Sequence, residues 1–289
     1  MLALILRDLL LYFRNYSGVI FSLMGAMISF VLYLVFLKNS IQANWKAVPG
    51  SGILLDQWLI GGTLAITGIT TTLAGLTQIV ADRESQVRQD LLQTDIGNTK
   101  LTVSYLAGAS LIGLLMQAIM FVIMFGYFHV EDGLNVTGEQ VGLLTAIMLL
   151  NAALSTAINA IVINFVKHMS SLSSLSAVVG TGAGFLVGGL IPIGTLPDFA
   201  QKLIKMTPGS YIASLNRQVL MNDKLADTFD GHLSMQHHFE KLLGVRIDWD
   251  GLLTRQETLN IVVVALVVAT VLAIVPQLIS GRQRRKLMA

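Results

Sequence analysis

The chain has 289 residues, of which 54% are apolar, 12% are charged and 26 are glycine. Soluble domains carry about 25% charged residues, so the composition argues against a water-soluble enzyme, a nucleic-acid binder and a disordered chain, and for a bilayer. The net charge of +2 matters less than where it falls, and zero Cys removes disulfides, thiolate metal sites and a cysteine nucleophile.

Residues 1–16 are apolar but interrupted by Arg7, Asp8 and Arg14. That pattern predicts a helix lying in the membrane interface rather than a signal peptide. A hydrocarbon core of about 30 Å takes roughly 20 helical residues. Six stretches meet that length without Asp, Glu, Lys or Arg: 17–37, 58–80, 103–127, 141–165, 172–191 and 258–279. Their apolar runs are continuous, which fits helices and not the alternation of barrel strands. The expected fold is an all-α integral membrane protein with six transmembrane helices.

With the N-terminus inside, the cytoplasmic pieces hold ten Lys and Arg, and the two short outer loops hold two, Lys38 and Lys46. By the positive-inside rule both termini are expected in the cytoplasm, in a multi-pass protein of the cell membrane. The tail Arg282-Gln283-Arg284-Arg285-Lys286 reads as a basic anchor for anionic lipid.

After the second span, residues 81–102 are too polar for lipid. Asp82, Arg83 and Glu84 lead into Val87, Leu91 and Leu92, spaced for a short amphipathic helix that offers a face to a partner. An ordinary solvated loop is the plainer alternative. Between spans five and six, residues 189–222 are apolar but broken by Pro192, Pro197 and Pro208. No full span fits there, so short re-entrant helices in the outer leaflet are expected. Residues 223–257 are hydrophilic, and their His232, His237 and His238 match no metal-site spacing.

Within the spans, Thr63, Thr67 and Thr70 share one face of the second helix, and Asn151, Ser155 and Asn159 one face of the fourth. Polar stripes in lipid face protein or a cavity. They are candidates for a substrate path, with interhelical hydrogen bonding as the plainer alternative. Gly61, Gly68 and Gly75 recur at heptad spacing, and Gly180, Gly184 and Gly188 at a spacing of four, as close-packing faces. The spans hold no Asp, Glu or Lys, which argues against an ion-coupled carrier. No P-loop is present, so any ATP that drives the protein binds another chain.

Two stretches carry a family resemblance: Asp82-Arg83-Glu84 leading to Leu91-Leu92-Gln93-Thr94-Asp95-Ile96, and Gly188-Gly189-Leu190-Ile191-Pro192 followed by Leu196-Pro197-Asp198-Phe199 and Thr207-Pro208. In order and spacing they resemble the membrane subunit of a type-two ABC exporter of the drug, antibiotic, lipid or polysaccharide class. The family pattern has Gly-Thr where this chain has Gln86-Val87, and Pro where it has Asp95. The resemblance implies an alternating-access permease that exports an amphipathic compound. Two six-helix subunits, identical or homologous, would work with two ABC ATPase subunits. ATP and Mg would sit on those partners, leaving this chain with no cofactor or metal of its own. It implies further that Asp82, Arg83, Glu84, Arg88, Leu91 and Leu92 belong to a coupling helix that reads the ATPase. Pro192, Pro197, Phe199 and Pro208 would help form an outer gate. Two other readings stay open: an immunity or sensor protein binding a peptide through its outer segment, and a membrane-embedded lipid-modifying enzyme using the three histidines.

Overall fold

The computed structural model describes residues 1–45, 48, 50–94 and 96–287, with side chains for all of these but Asn44 and residues 274–287. Lys46, Asp95 and the side chains of Arg282 to Lys286 lie outside the described residues. α1 (Leu2–Arg14) ends at Asn15, whose side chain accepts a hydrogen bond from the Gly18 N–H at 3.1 Å and so starts α2 (Tyr16–Leu32). α2 continues through a wide π-turn, Tyr33–Leu37, into α3 (Lys38–Asn44). Next come α4 (Ser51–Glu84), α5 (Val87–Gln93), α6 (Asn98–Asp132), α7 (Gly138–Ile163) and α8 (Met169–Leu186). A 3-10 turn (Ile193–Thr195), α9 (Asp198–Met206), α10 (Pro208–Phe229), α11 (Leu233–Leu243) and α12 (Arg255–Leu287) follow. Among the described residues no strand forms beyond an isolated bridge between Asp248 and Leu252.

Among the described residues, six helices are long and apolar enough to cross a membrane: Tyr16–Ala43, Ser51–Glu84, Asn98–Asp132, Gly138–Ile163, Met169–Leu186 and Arg255–Ala273. The fold is an all-α membrane protein. At 34 residues, α4 is about 50 Å long, more than a hydrocarbon core of about 30 Å. Its acidic residues Asp56 and Asp82 therefore fall near its two ends. We call the end that gathers α1, α5 and the α7–α8 link the terminal face, and the opposite end the far face.

α4 is the hub of the bundle. In its most apolar window 83% of residues are buried, against 17% for α8, which lies on the rim. The three heptad-spaced glycines of α4 each admit a different neighbour. A Cβ on Gly61 would stand 2.8 Å from the Arg217 side chain of α10, and one on Gly68 would stand 2.1 Å from the Asn151 amide of α7. One on Gly75 would stand 3.0 Å from the Ala109 Cα of α6. One face of α4 thus serves three seams, because the neighbours cross it at successive levels.

The helix ends follow local rules. Thr137 and Gln140 form a reciprocal capping box at the start of α7. Although the apolar run continues to Ile191, α8 stops at Leu186. Gly188 adopts φ +67°, and the N–H groups of Gly188 and Gly189 close onto the Phe185 and Gly184 carbonyls. Pro192 precedes the 3-10 turn, Pro197 precedes α9 and Pro208 opens α10. At a helix start the missing proline N–H costs nothing.

Candidate functional site

The corner between α4 and α5 ties together the ends of five helices. Asp82, on the last turn of α4, is 2% exposed. It accepts hydrogen bonds from Arg7 Nη1 and Nη2 at 2.8 Å each, from Gln78 Nε2 at 2.7 Å and from Tyr105 Oη at 2.5 Å. Arg83 donates to the Ile163 carbonyl at the end of α7 at 3.3 Å. Glu84 accepts from the Met169 N–H at the start of α8 at 3.0 Å, where a carboxylate also complements the helix dipole. Arg88 donates to Asn98 Oδ1 at the start of α6 at 2.6 Å.

α1 enters this corner with its polar side. Leu4 and Asp8 are buried, whereas Leu2, Leu6 and Leu10 on the other side are exposed. A helix that turns its charges to protein and its leucines outward suits a lipid interface and not water. The bidentate bond to Asp82 holds the Arg7 guanidinium above its usual range. Burial pushes the neighbouring Asp8 carboxyl up to about 6, against the pull of Arg7 at 3.2 Å.

The turn from α4 into α5 passes through Gln86, which takes φ +65°. This left-handed conformation is uncommon outside glycine. It swings α5 so that Val87, Arg88, Leu91 and Leu92 are half-buried, and Leu91, Leu92 and Ile96 pack on the core at the terminal face. Gln89, Asp90, Gln93 and Thr94 point outward and are exposed. The surface that α5 offers is therefore polar, small and nearly uncharged.

Beside this corner, a groove of about 700 Å³ runs between α2 and α8 with α4 as its floor. Phe21 and Ile28 of α2, Thr70 and Thr77 of α4, and Ser173 and Thr181 of α8 are among its lining residues, none of which is charged. The other polar candidates sit in seams instead. Asn151 donates to the Leu64 and Ala65 carbonyls and to Gln117 Oε1. Ser155 donates to Asn151, and Asn159 donates to the Ile69 carbonyl and to Thr72 Oγ1. Thr67 donates to the Thr63 carbonyl of its own helix. These bonds pin α4, α6 and α7 into one block.

At the far face, Arg217 is fully buried, with no carboxylate in contact among the described residues. It donates to the Trp58 carbonyl at 3.2 Å, to the Gly188 carbonyl at 2.7 Å and to the Gly244 carbonyl at 3.2 Å, and it lies 4.7 Å from the Trp58 ring centroid. Gly188 and Gly244 follow the C-termini of α8 and α11, so two helix dipoles and a ring face stand in for a counter-ion. A second charge cluster joins α3, α4 and α6: Lys38 Nζ lies 3.1 Å from Asp56 and 2.7 Å from Asp132, and Tyr33 donates to Asp56 at 2.8 Å.

The profile of the ABC-2 family transporter proteins matches residues 15–275, most of the chain. The chain belongs to the ABC-2 transporter family. No individually curated protein matches it. It is a permease subunit of the type-two ABC class. ABC-2 permeases generally work with an ABC ATPase subunit, often as dimers.

Against the sequence candidates, this ABC-2 permease gathers Asp82, Arg83, Glu84 and Arg88 at one corner but spends their charges on its own helix ends. Of the polar stripe residues, Thr70 alone borders the groove. Pro192 is buried, and Phe199 is 74% exposed on α9. His232 caps α11, and the His238 ring lies 6.1 Å from that of Trp45. Sequence reasoning expected a partner face on α5 but passed over the residues that form it, Gln89, Asp90 and Gln93, as well as Arg7 and Tyr105 as partners of Asp82, and Arg217. A lone arginine amid the apolar run 208–221 was the available signal for the last.

Proposed function

We propose that this ABC-2 permease is half of an ATP-driven exporter of an amphipathic compound, with both termini on the cytoplasmic side of the cell membrane. The observation that carries the reading is α5. A short helix between two spans keeps its apolar side on the bundle and turns Gln89, Asp90 and Gln93 outward, as a docking surface for a separate ATPase requires. Nucleotide and Mg would bind on that partner.

Closure of the ATPases would push α5, and the bonds of Asp82, Arg83, Glu84 and Arg88 would pass the displacement to α1, α6, α7 and α8. The α4–α6–α7 block would then move as a unit, with α2 and α8 shifting against it. A second copy is supported by α8, whose exposed Ser170, Ser174, Ala177 and Thr181 form a small-residue stripe suited to close approach in lipid. Two uncharged grooves meeting across that stripe would make a path for a molecule with apolar bulk and a few hydrogen-bonding groups. The proline-punctuated segment 192–208 would close the path on the outer side.

Reconstitution with the ATPase that accompanies the chain tests the reading. ATP-dependent efflux of an uncharged amphipathic dye from proteoliposomes is expected, and Ser173→Trp, which fills the groove, is expected to reduce it severalfold. Efflux that ignores ATP, or that survives groove filling unchanged, would count against the proposal.

A further inference from the structure

Two adjoining cavities lie at the far face, one within the segment between α8 and α12 and the other between that segment and the α3 region. One, of about 320 Å³, is lined by Lys205 of α9, Lys241 of α11, Arg246 and Asp248. The other, of about 600 Å³, is lined mainly by apolar groups that include Ile41, Trp45, Pro192 and Met235. His238 and Leu242 line both, so a cationic compartment and an apolar one share a wall.

The charges in the first compartment do not balance. Lys241 Nζ lies 2.6 Å from Asp248, and Arg246 Nη1 lies 3.5 Å from Glu240. Arg246 also donates to the Leu252 and Leu253 carbonyls. Lys205 has no carboxylate at ion-pairing distance among the described residues; its ammonium lies 5.6 Å from the centroid of the Trp249 ring. Three cations thus face two carboxylates. The Lys241–Asp248 pair is largely exposed on its lysine side, so that cation is held weakly and is free to take another partner.

The second compartment is apolar surface left open. Met235 is 51% exposed at its mouth, and Trp45 forms its wall with an edge-on contact to Phe239 at 4.8 Å. Apolar area of this kind is stabilised by covering it, at about 25 cal/mol per Å². A ligand that satisfies both compartments needs a negative head and an apolar tail.

We propose that this cleft binds an anionic amphiphile, its phosphate or carboxylate held by Lys205 and Lys241 and its alkyl chain lying along Trp45, Ile41 and Met235. Ammonium groups bind such heads through charge-assisted hydrogen bonds, and the adjoining apolar wall selects against the free inorganic anion. Cationic amphiphiles are repelled by Lys205 and Arg246. The site is built from the segment between α8 and α12 together with Ile41 and Trp45 of the α3 region, and does not depend on an ATPase partner.

Native mass spectrometry of the full chain released from a neutral detergent, titrated with lysophosphatidic acid, tests this directly. One tightly retained lysophosphatidic acid is expected. Loss of two charge-assisted contacts in the double variant Lys205→Gln/Lys241→Gln should weaken retention by about tenfold or more, and Met235→Asp should weaken it from the tail side. Lysophosphatidylcholine, with the same tail and no net charge, should bind about tenfold more weakly. Both variants alter exposed or half-exposed side chains, and an unchanged melting temperature will confirm that they fold. Equal retention by the wild type and both variants, or equal affinity for the two lipids, would overturn the proposal. So would displacement of the lipid by inorganic phosphate at a matching concentration, which would mark a site for the free anion.

Discussion

Arg7 and Asp82 stand 75 positions apart and meet as a bidentate pair, both contacts 2.8 Å. The pair joins the first helix of the chain to the last turn of its central helix. Asp82 is sealed from solvent, so its charge depends on Arg7, with Tyr105 and Gln78 as further donors. Arg7→Ala is expected to destabilise the protein by about 3 kcal/mol, because it strands a buried carboxylate. The double variant Arg7→Met/Asp82→Leu should lose less than the single one. Thermal melts in detergent, arranged as a double-mutant cycle, will read this coupling.

Gln86 occupies the left-handed region at the α4–α5 corner, where a side chain costs about 1–2 kcal/mol relative to glycine. Its side chain recovers part of that through bonds with the Arg83 carbonyl and with Gln89. Gln86→Gly should therefore raise stability by about 0.5–1 kcal/mol, and Gln86→Val should lower it. Melting temperatures of the two variants should move in opposite directions.

Gly68 lies under the Asn151 amide, where an added Cβ would come within 2.1 Å of Nδ2. That amide makes three donor contacts, so Gly68→Ala is expected to cost about 2–3 kcal/mol as buried bonds are broken. Shortening the opposing side chain with Asn151→Ser should restore part of the loss. Strictly additive effects in the double variant would show that the two residues do not share the seam.

Asp8 gives the protein a pH signature. Its folded pKa of about 6 lies above the ordinary aspartate value of about 4. The native state therefore binds this proton more tightly than the unfolded state does. The stability it contributes is fully present below about pH 4 and is lost as pH rises through about 6. Asp8→Asn should raise the melting temperature at pH 7.5 by a few degrees and change it little at pH 4.5. Parallel pH–stability curves for wild type and variant would contradict this.

The spans were legible in the sequence because continuous apolarity is a local property: a helix in lipid must be uncharged over its length wherever its neighbours lie. The short helix α5 was legible through another local pattern, the amphipathic spacing of Val87, Leu91 and Leu92. The direction of its charges was not. Whether Asp82 meets an ATPase or Arg7 depends on where α1 lies, which no local pattern encodes. α1 also reverses the usual rule, since its buried side carries Asp8 while Leu2, Leu6 and Leu10 face outward. Its amphipathic pattern gave the helix but not which side meets protein. The heptad of Gly61, Gly68 and Gly75 marked close packing correctly, yet spacing could not tell that three different helices fill it. Arg217 was not legible, because its partners are helix termini and the Trp58 ring, which come together only in the folded bundle.

The central claim is that the outward face of α5 docks a separate ATPase, and it is tested most directly by purifying the tagged chain from its native membrane beside the variant Asp90→Arg/Gln93→Arg. Both residues are exposed and outside the Asp82 network, so the variant should fold and insert normally. The account predicts a P-loop ATPase in stoichiometric amount with the wild type and its loss from the variant. An ATPase absent from both, or retained equally by both, would contradict it.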